Sequence, residues 1–448
     1  LAMMAQAVRL AVDALVEVEV RRKSEKLALF EAAAKLGIRD AEAFGLAHRL
    51  VMETLKHLNL LDELIKLALG EEIGLEELRA RTRAFLRLFA YRAAIERADI
   101  GELIKFVRAG REALSRGILK PIERALGRCI TLSVEDALAG KEGDERLALE
   151  LRVPKWLLEF FCREMGRPRA IELLKAYLRP PPAYVRINTL KGDEQAVVRA
   201  LLEEGVELEP VEGIRHLYRI VEADRPLVAT KAYREGLVYP QDKGSCLAVE
   251  VAGPEPSMTV LDVCAAPGAK TSYMAQLMGN EGLIVSVDFS DRRLATWKAL
   301  MAKLGVKIAL PVLADARYPL PTCLEADLVL LDLPCTSTGA FARAPSAKWR
   351  LTPRSPRNMA RVQARILETC ADHVRPGGAL IYITCSLLVE ENELVLERFL
   401  RAHPEFRLEQ AEPFMGLPGL RGLEGAQRLY PDLHACDGYF IAKLRREG

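Results

Sequence analysis

TVLDVCAAPGAKTSYMAQLM, residues 259–278, changes character midway. The opening TVLDV is a short apolar run of strand type, SYMAQLM has helical spacing, and the seven residues from Cys264 to Lys270 form a tight turn of small side chains. Four further apolar runs follow: LIVSVD (283–288), IALPVLAD (308–315), ADLVLLDLP (326–334) and GALIYITCS (378–386), with helical stretches between them. Five such strands predict a mainly parallel sheet covered by helices on both faces, an α/β Rossmann-like domain over 236–448. In such sheets ligands bind beyond the carboxyl ends of the strands.

Upstream the pattern differs. LALFEAAAKLG (27–37), AEAFGLAHRLVMETLKHLNLLDELIKLAL (41–69) and RTRAFLRLFAYRAAIERA (81–98) carry apolar residues three and four apart, which predicts an all-α domain over 1–150. Pro180, Pro181 and Pro182 then enforce an extended connection. YVRINTL alternates like a strand, DEQAVVRALLEEG reads as a helix, and VELEPVEG and LYRIVEA read as further strands. A small α+β module over 151–235 is expected.

A chain of 448 residues that is half apolar needs more than one core. Nine cysteines without a CxxC pair fit neither a disulfide framework nor a zinc site, so no metal is expected. The N-terminal amphipathic pattern is broken by Arg9, Asp13, Glu17 and Glu19, unlike a secretory signal, and no apolar run is long enough to span a bilayer. The reading is cytoplasmic, without membrane contact, and a monomer is the simplest state. Net charge is only +2, but twelve basic residues between Arg81 and Arg128 face five acidic ones. That stretch is either a phosphate-facing surface or a set of solvated helix faces.

Small residues at 264–269 let backbone approach a ligand, and the helix N-terminus offers N–H groups to its polar parts. Asp288, ending the second strand, is placed for ribose hydroxyls, and Asp315, after the third, for an adenine amino group. Alone, the turn is equally a plain βα connection. Three strand-end carboxylates in series, Asp288, Asp315 and Asp332, argue for an adenosyl ligand. A nicotinamide site is disfavoured because the turn lacks GxGxxG.

Asp332 and Cys335 follow the fourth strand and Cys385 the fifth, so two thiols and a carboxylate converge beside the cofactor. Cytosine carbon 5 becomes nucleophilic once a thiolate adds at carbon 6 and a proton reaches N3, which a buried Asp332 would supply, with Lys270 setting local charge. One of the two cysteines attacks. Cys129, Cys162, Cys246, Cys323, Cys370 and Cys436 read as small buried hydrophobes, and Cys264 as a packing residue of the turn.

CAAPGAKT, DLPCTSTG and YITCS followed by EENE resemble the motifs of the Sun/Fmu (NOL/NOP/Sun) family of RNA cytosine-C5 methyltransferases. VRINTLK, YPQDKGS and DGYFIAKL resemble its other blocks in the same order, so the likeness covers about 180–448. It implies a class I methyltransferase domain using S-adenosylmethionine, with Cys385 as nucleophile and Cys335 assisting release of the methylated base. It also implies a pocket of Cys264, Ala265, Ala266, Pro267, Gly268, Ala269, Lys270, Asp288, Asp315 and Asp332, to which Arg293 on the helix after Asp288 is added. RTRAFLRLFAYRAA resembles the NusB-like RNA-binding extension of some members, and the middle module would be RRM-like. Ribosomal RNA is the favoured substrate, transfer RNA the other. Two readings compete: an RNA-binding assembly factor with dispensable catalysis, and a DNA cytosine methyltransferase using Cys335.

Three residues depart from the family pattern: Ala269 and Ser337 stand where glycine is usual, and Val389 where proline is common. A left-handed backbone at 269 or 337 would strain the turn. Beside the PC loop, Arg343, Lys348, Arg350, Arg354, Arg357, Arg361 and Arg365, with Trp349 for stacking, suggest an RNA-contacting segment.

Overall fold

The computed structural model describes residues 2–71 and 73–448; the side chain of Arg116, one of the twelve basic residues above, lies outside the described residues. Contacts divide the chain into two compact units. One runs to Arg179 and also includes Phe341–Pro353; the other comprises Pro180–Ala340 and Arg354–Gly448. The expected boundaries at 150 and 235 do not coincide with this division. The reason is packing: helices Lys155–Met165 and Arg167–Ala176 bury Leu157, Leu158, Phe161, Leu173 and Leu174 and continue the helical unit.

The helical unit is built around Ala2–Arg21, which packs on Glu25–Leu36, Ala41–Lys56, Ala80–Ala90 and Ile100–Ala113. Its buried face is rich in alanine, Ala7, Ala11 and Ala14 among them, which allows close approach of the neighbouring helices. Ser24, Asp40 and Asp99 cap the next helices by accepting from free backbone amides. The long pattern over 41–69 breaks at His57 into Ala41–Lys56 and Leu58–Leu69. Among the described residues no helix is long and apolar enough to cross a membrane.

The basic stretch is largely structural in its first part. Arg81 pairs with Asp13 (2.6 Å), Arg83 with Glu19 (2.9 Å), Arg87 with Asp62 (2.7 Å) and Arg92 with Glu96 (3.0 Å). Arg97, Lys105, Arg108, Lys120 and Arg124 remain exposed.

The segment beside the PC loop corrects the sequence reading. Lys348 is buried, and its ammonium donates to the carbonyls of Lys56 (3.1 Å) and Arg152 (2.7 Å). The Trp349 indole donates to Leu55 O (2.6 Å). Leu55 and Lys56 are the last residues of helix Ala41–Lys56, and Arg152 follows the end of helix Gly143–Glu150, so the two side chains cap helix ends and are not offered to RNA. Burial pulls the Lys348 pKa down to about 7.

The second unit holds two sheets. Val206–Pro210, Leu217–Ala223, Tyr184–Ile187 and Val238–Pro240 form, in that order, an antiparallel four-stranded sheet backed by helix Glu194–Glu203. In the larger sheet Ala309–Leu313, Leu283–Asp288, Thr259–Val263, Ala326–Asp332 and Val374–Thr384 lie parallel in that spatial order. Tyr439–Arg446 continues it antiparallel beside Val374–Thr384. Order reverses between Thr259–Val263 and Ala326–Asp332, which opens the crevice where a ligand fits. Arg186, from VRINTLK, fastens the smaller sheet to the helix after the turn: fully buried, it donates to Gln241 (2.9 Å), Gln276 (2.5 Å) and Ser272 (2.7 Å).

Candidate active site

The turn 264–268 ends in Gly268, at φ +111°, where a Cβ would lie 2.6 Å from Met301 Cε. Glycine is therefore required there for conformation and for space. Ala269 begins helix Ala269–Leu277 without left-handed geometry, so its departure is harmless. Asp262, not singled out from sequence, anchors this start by accepting from Thr271 Oγ1, and burial pushes its carboxyl up to about 7.

A cavity of about 590 Å³ opens beyond the strand ends. Of the expected pocket residues, Cys264, Ala266, Asp288, Arg293, Asp315, Asp332, Cys335 and Cys385 line it. Ala265, Pro267, Gly268, Ala269 and Lys270 do not: they shape the turn behind it. Cys264 both packs against the core, as its reading as a packing residue has it, and lines the cavity, and burial raises its thiol pKa. Cys323 is exposed, against the expectation of burial.

Asp288 is buried at the end of its strand, accepts from the amides of Ala266 (3.2 Å) and Ser290 (3.1 Å), and has Arg293 Nη1 3.3 Å away. A carboxylate offers about four lone-pair sites, so acceptor capacity remains for hydroxyls. Phe289 follows it, 65% exposed and lining the cavity; an exposed phenylalanine after a strand-end aspartate is the signal that would have found it. Asp315 is clasped by Arg317 of its own loop (2.7 Å), which holds its carboxyl below the usual range.

Cys335 Sγ and Cys385 Sγ lie 3.1 Å apart, and Cys385 Sγ lies 3.5 Å from Ser337 Oγ. The contact between the thiols lowers the pKa of Cys385 and, with burial, raises that of Cys335. Asp332 pairs with Lys270 at 2.7 Å and keeps 35% of its side chain exposed, so it is an ion-paired carboxylate and not the buried acid expected. The Lys270 ammonium also lies 5.7 Å from the Tyr439 ring centroid.

Glu391, in the EENE block, holds the two thiol loops together and was given no role from sequence. Wholly buried, it accepts from Thr336 N (2.9 Å), Ser386 Oγ (2.5 Å), Gln363 Nε2 (2.9 Å) and Thr336 Oγ1. Burial raises its pKa. Gly339 adds a second tie: its amide donates to Cys385 O (2.8 Å) and its carbonyl accepts from Gly438 N (2.7 Å). A Cβ at 339 would lie 2.2 Å from Gly438 O.

Residues 249–445 match the family described as 16S rRNA methyltransferase RsmB/F, and 153–222 match the RsmF/B-like ferredoxin-like domain. The ribosomal RNA small subunit methyltransferase B of Escherichia coli O17:K52:H18 is 31% identical over 339 residues, 75% of each chain. The chain belongs to the RsmB/F family. The crystal structure of PH0851 superposes over 99% of both chains with a TM-score of 0.81 and 30% identity. That of NSun6 from Pyrococcus horikoshii with SFG covers 66% of this chain and 98% of that one, with a TM-score of 0.62 and 26% identity. As an RsmB/F member the protein is an S-adenosylmethionine-dependent RNA cytosine-C5 methyltransferase, which sets the DNA reading aside.

Proposed function

We propose that the substrate is ribosomal RNA of the small subunit, that Cys385 is the nucleophile and that Cys335 assists release. The observation that carries the assignment is the geometry of the thiol pair: Cys385 Sγ lies 3.1 Å from Cys335 Sγ and 3.5 Å from Ser337 Oγ, so a thiolate at Cys385 has two groups beside it able to donate a hydrogen. S-adenosylmethionine supplies the electrophilic methyl. Asp288 and Phe289 would hold its ribose and adenine, with Arg293 steadying Asp288 and the small residues Cys264 and Ala266 admitting the chain end.

The Cys385 thiolate forms a bond to cytosine C6 while N3 takes a proton from the Lys270–Asp332 pair. Carbon 5, now an enamine carbon, takes the methyl. The C5 proton passes to water, the C6–S bond breaks, and N3 returns its proton to the pair. Cys335 Sγ–H donates to the departing thiolate of Cys385, lowering the cost of that cleavage. The exposed Arg354, Arg357 and Arg361 run along the helix that supplies Met359, Val362 and Ile366 to the cavity and would meet phosphates.

The helical region 1–150 is inferred to be a NusB-like RNA-binding domain, 151–235 an RRM-like module and 236–448 the methyltransferase domain of a cytoplasmic monomer. The all-helical first unit, the ferredoxin-like match and the antiparallel four-stranded sheet support the reading of the first two domains. The test is incubation of the protein with labelled cofactor and unmethylated ribosomal or transfer RNA. 5-Methylcytosine in small-subunit RNA is expected; methylation of transfer RNA alone would overturn the substrate. Full complementation of a deletion strain by Cys385→Ala would favour an assembly factor instead.

A further inference from the structure

Ser337 is a non-glycine residue in left-handed backbone, φ +57°, two residues beyond Cys335. That conformation is strained for a serine and unstrained for glycine, so its side chain is the place to look for compensation. The hydroxyl lies 3.5 Å from Cys385 Sγ, while the Ser337 backbone hydrogen-bonds to the Cys335 thiol. The left-handed turn therefore aims one residue at both sulfurs. Ser337 lines the cavity, and its carbonyl accepts from Ala340 N (3.0 Å), which fixes the turn.

We propose that Ser337 is a positioning residue for methyl transfer: its hydroxyl donates to the Cys385 thiolate and holds that sulfur aimed at cytosine C6. The inference rests on Cys385 being the nucleophile. The charged and titratable groups around Cys385 explain why a donor is needed. Asp332 and Asp437 each oppose a second negative charge, Tyr439 is buried close by, and the Lys270 ammonium is committed to Asp332. Among the described residues, Cys335 and Ser337 are the side chains hydrogen-bonded to Cys385 Sγ; the Ser337 hydroxyl accepts from the thiol and, once that thiol is ionised, can turn its own hydrogen to the sulfur, and both contacts act to lower the Cys385 pKa. The Ser337 bond also yields readily. Once the C6–S bond forms, sulfur loses its charge, and the hydroxyl can turn away without an orphaned ion.

The test compares wild type with Ser337→Gly, which relieves the backbone and removes the hydroxyl, and Ser337→Ala, which removes the hydroxyl alone. Two rates are followed against pH: alkylation of Cys385 by iodoacetamide in the RNA-free enzyme, read by mass spectrometry, and single-turnover methylation of RNA. In both variants the acid limb of both profiles should move up by about one pH unit, a roughly tenfold loss of rate below the limb, with little change above it. Ser337→Gly should unfold at an equal or higher temperature than wild type. Unmoved limbs in both variants overturn the proposal. A change in Ser337→Gly alone would assign the effect to the backbone and overturn it too. If the nucleophile were another group, the alkylation limb would still move while Cys385→Ala continued to methylate, which separates the two failures.

Discussion

Cys335 Sγ and Cys385 Sγ are 3.1 Å apart, close enough for one thiol to donate directly to the other, and their titrations belong to the pair. The first proton leaves the pair readily, because the resulting thiolate accepts from the remaining thiol, and at Cys385 it also has the Ser337 hydroxyl beside it; the second is held back by that same charge and by burial. Adduct formation should therefore rise with pH through a limb below the ordinary thiol value and stay level while Cys335 remains protonated. Removing the donor in Cys335→Ala should move this limb upward. Trapping rates with a fluorocytosine RNA, measured from pH 5 upward, check both statements.

The Glu391 clamp predicts an unequal pair of variants. Glu391→Ala leaves several buried donors without an acceptor and should lower stability by about 1–3 kcal/mol or more, with activity lost as the loops part. Glu391→Gln should be mild and should change the pH dependence of stability. Because burial raises this carboxyl above 4.5, the folded state binds more proton than the unfolded state over that window. Wild-type stability from this group falls as pH rises through it, so Gln should gain on wild type with increasing pH. Denaturant midpoints at pH 5 and pH 8 measure the difference.

The basic segment around the PC loop should separate into two functions. Lys348→Ala and Trp349→Phe leave carbonyls of helix Ala41–Lys56 uncapped and should lower the melting temperature without altering the salt dependence of RNA binding. Arg357→Ala and Arg361→Ala should do the reverse, each reducing the salt slope by roughly 0.7–0.9. Binding titrations at several salt concentrations, beside thermal melts, distinguish the two classes.

The strands that carry the site were legible because each is a short apolar run ending in a polar side chain: Asp288, Asp332 and Cys385 all fall where the alternation of period places them. The division into units was not. Charge alone cannot tell a solvated lysine from Lys348, which is buried because a distant helix end lacks donors, a tertiary fact. An acid role for Asp332 depends on burial, but its partner, Lys270, lies 62 residues earlier on helix Ala269–Leu277, so the ion pair is a tertiary fact as well. Glu391 sits in a visible motif, yet its role depends on Thr336 and Ser386 from two loops meeting around it. The left-handed backbone at Ser337 ran against residue preference, and such conflicts concentrate at working sites.

The division of labour between the thiols is the central claim, and one gel tests it. Wild type, Cys335→Ala, Cys385→Ala and the double variant are incubated with cofactor and unmethylated small-subunit ribosomal RNA and resolved under denaturing conditions. If Cys385 attacks and Cys335 assists release, Cys335→Ala should accumulate a stable protein–RNA adduct. Cys385→Ala and the double variant should form none. An adduct in Cys385→Ala that disappears in the double variant would contradict the account and move the nucleophile to Cys335.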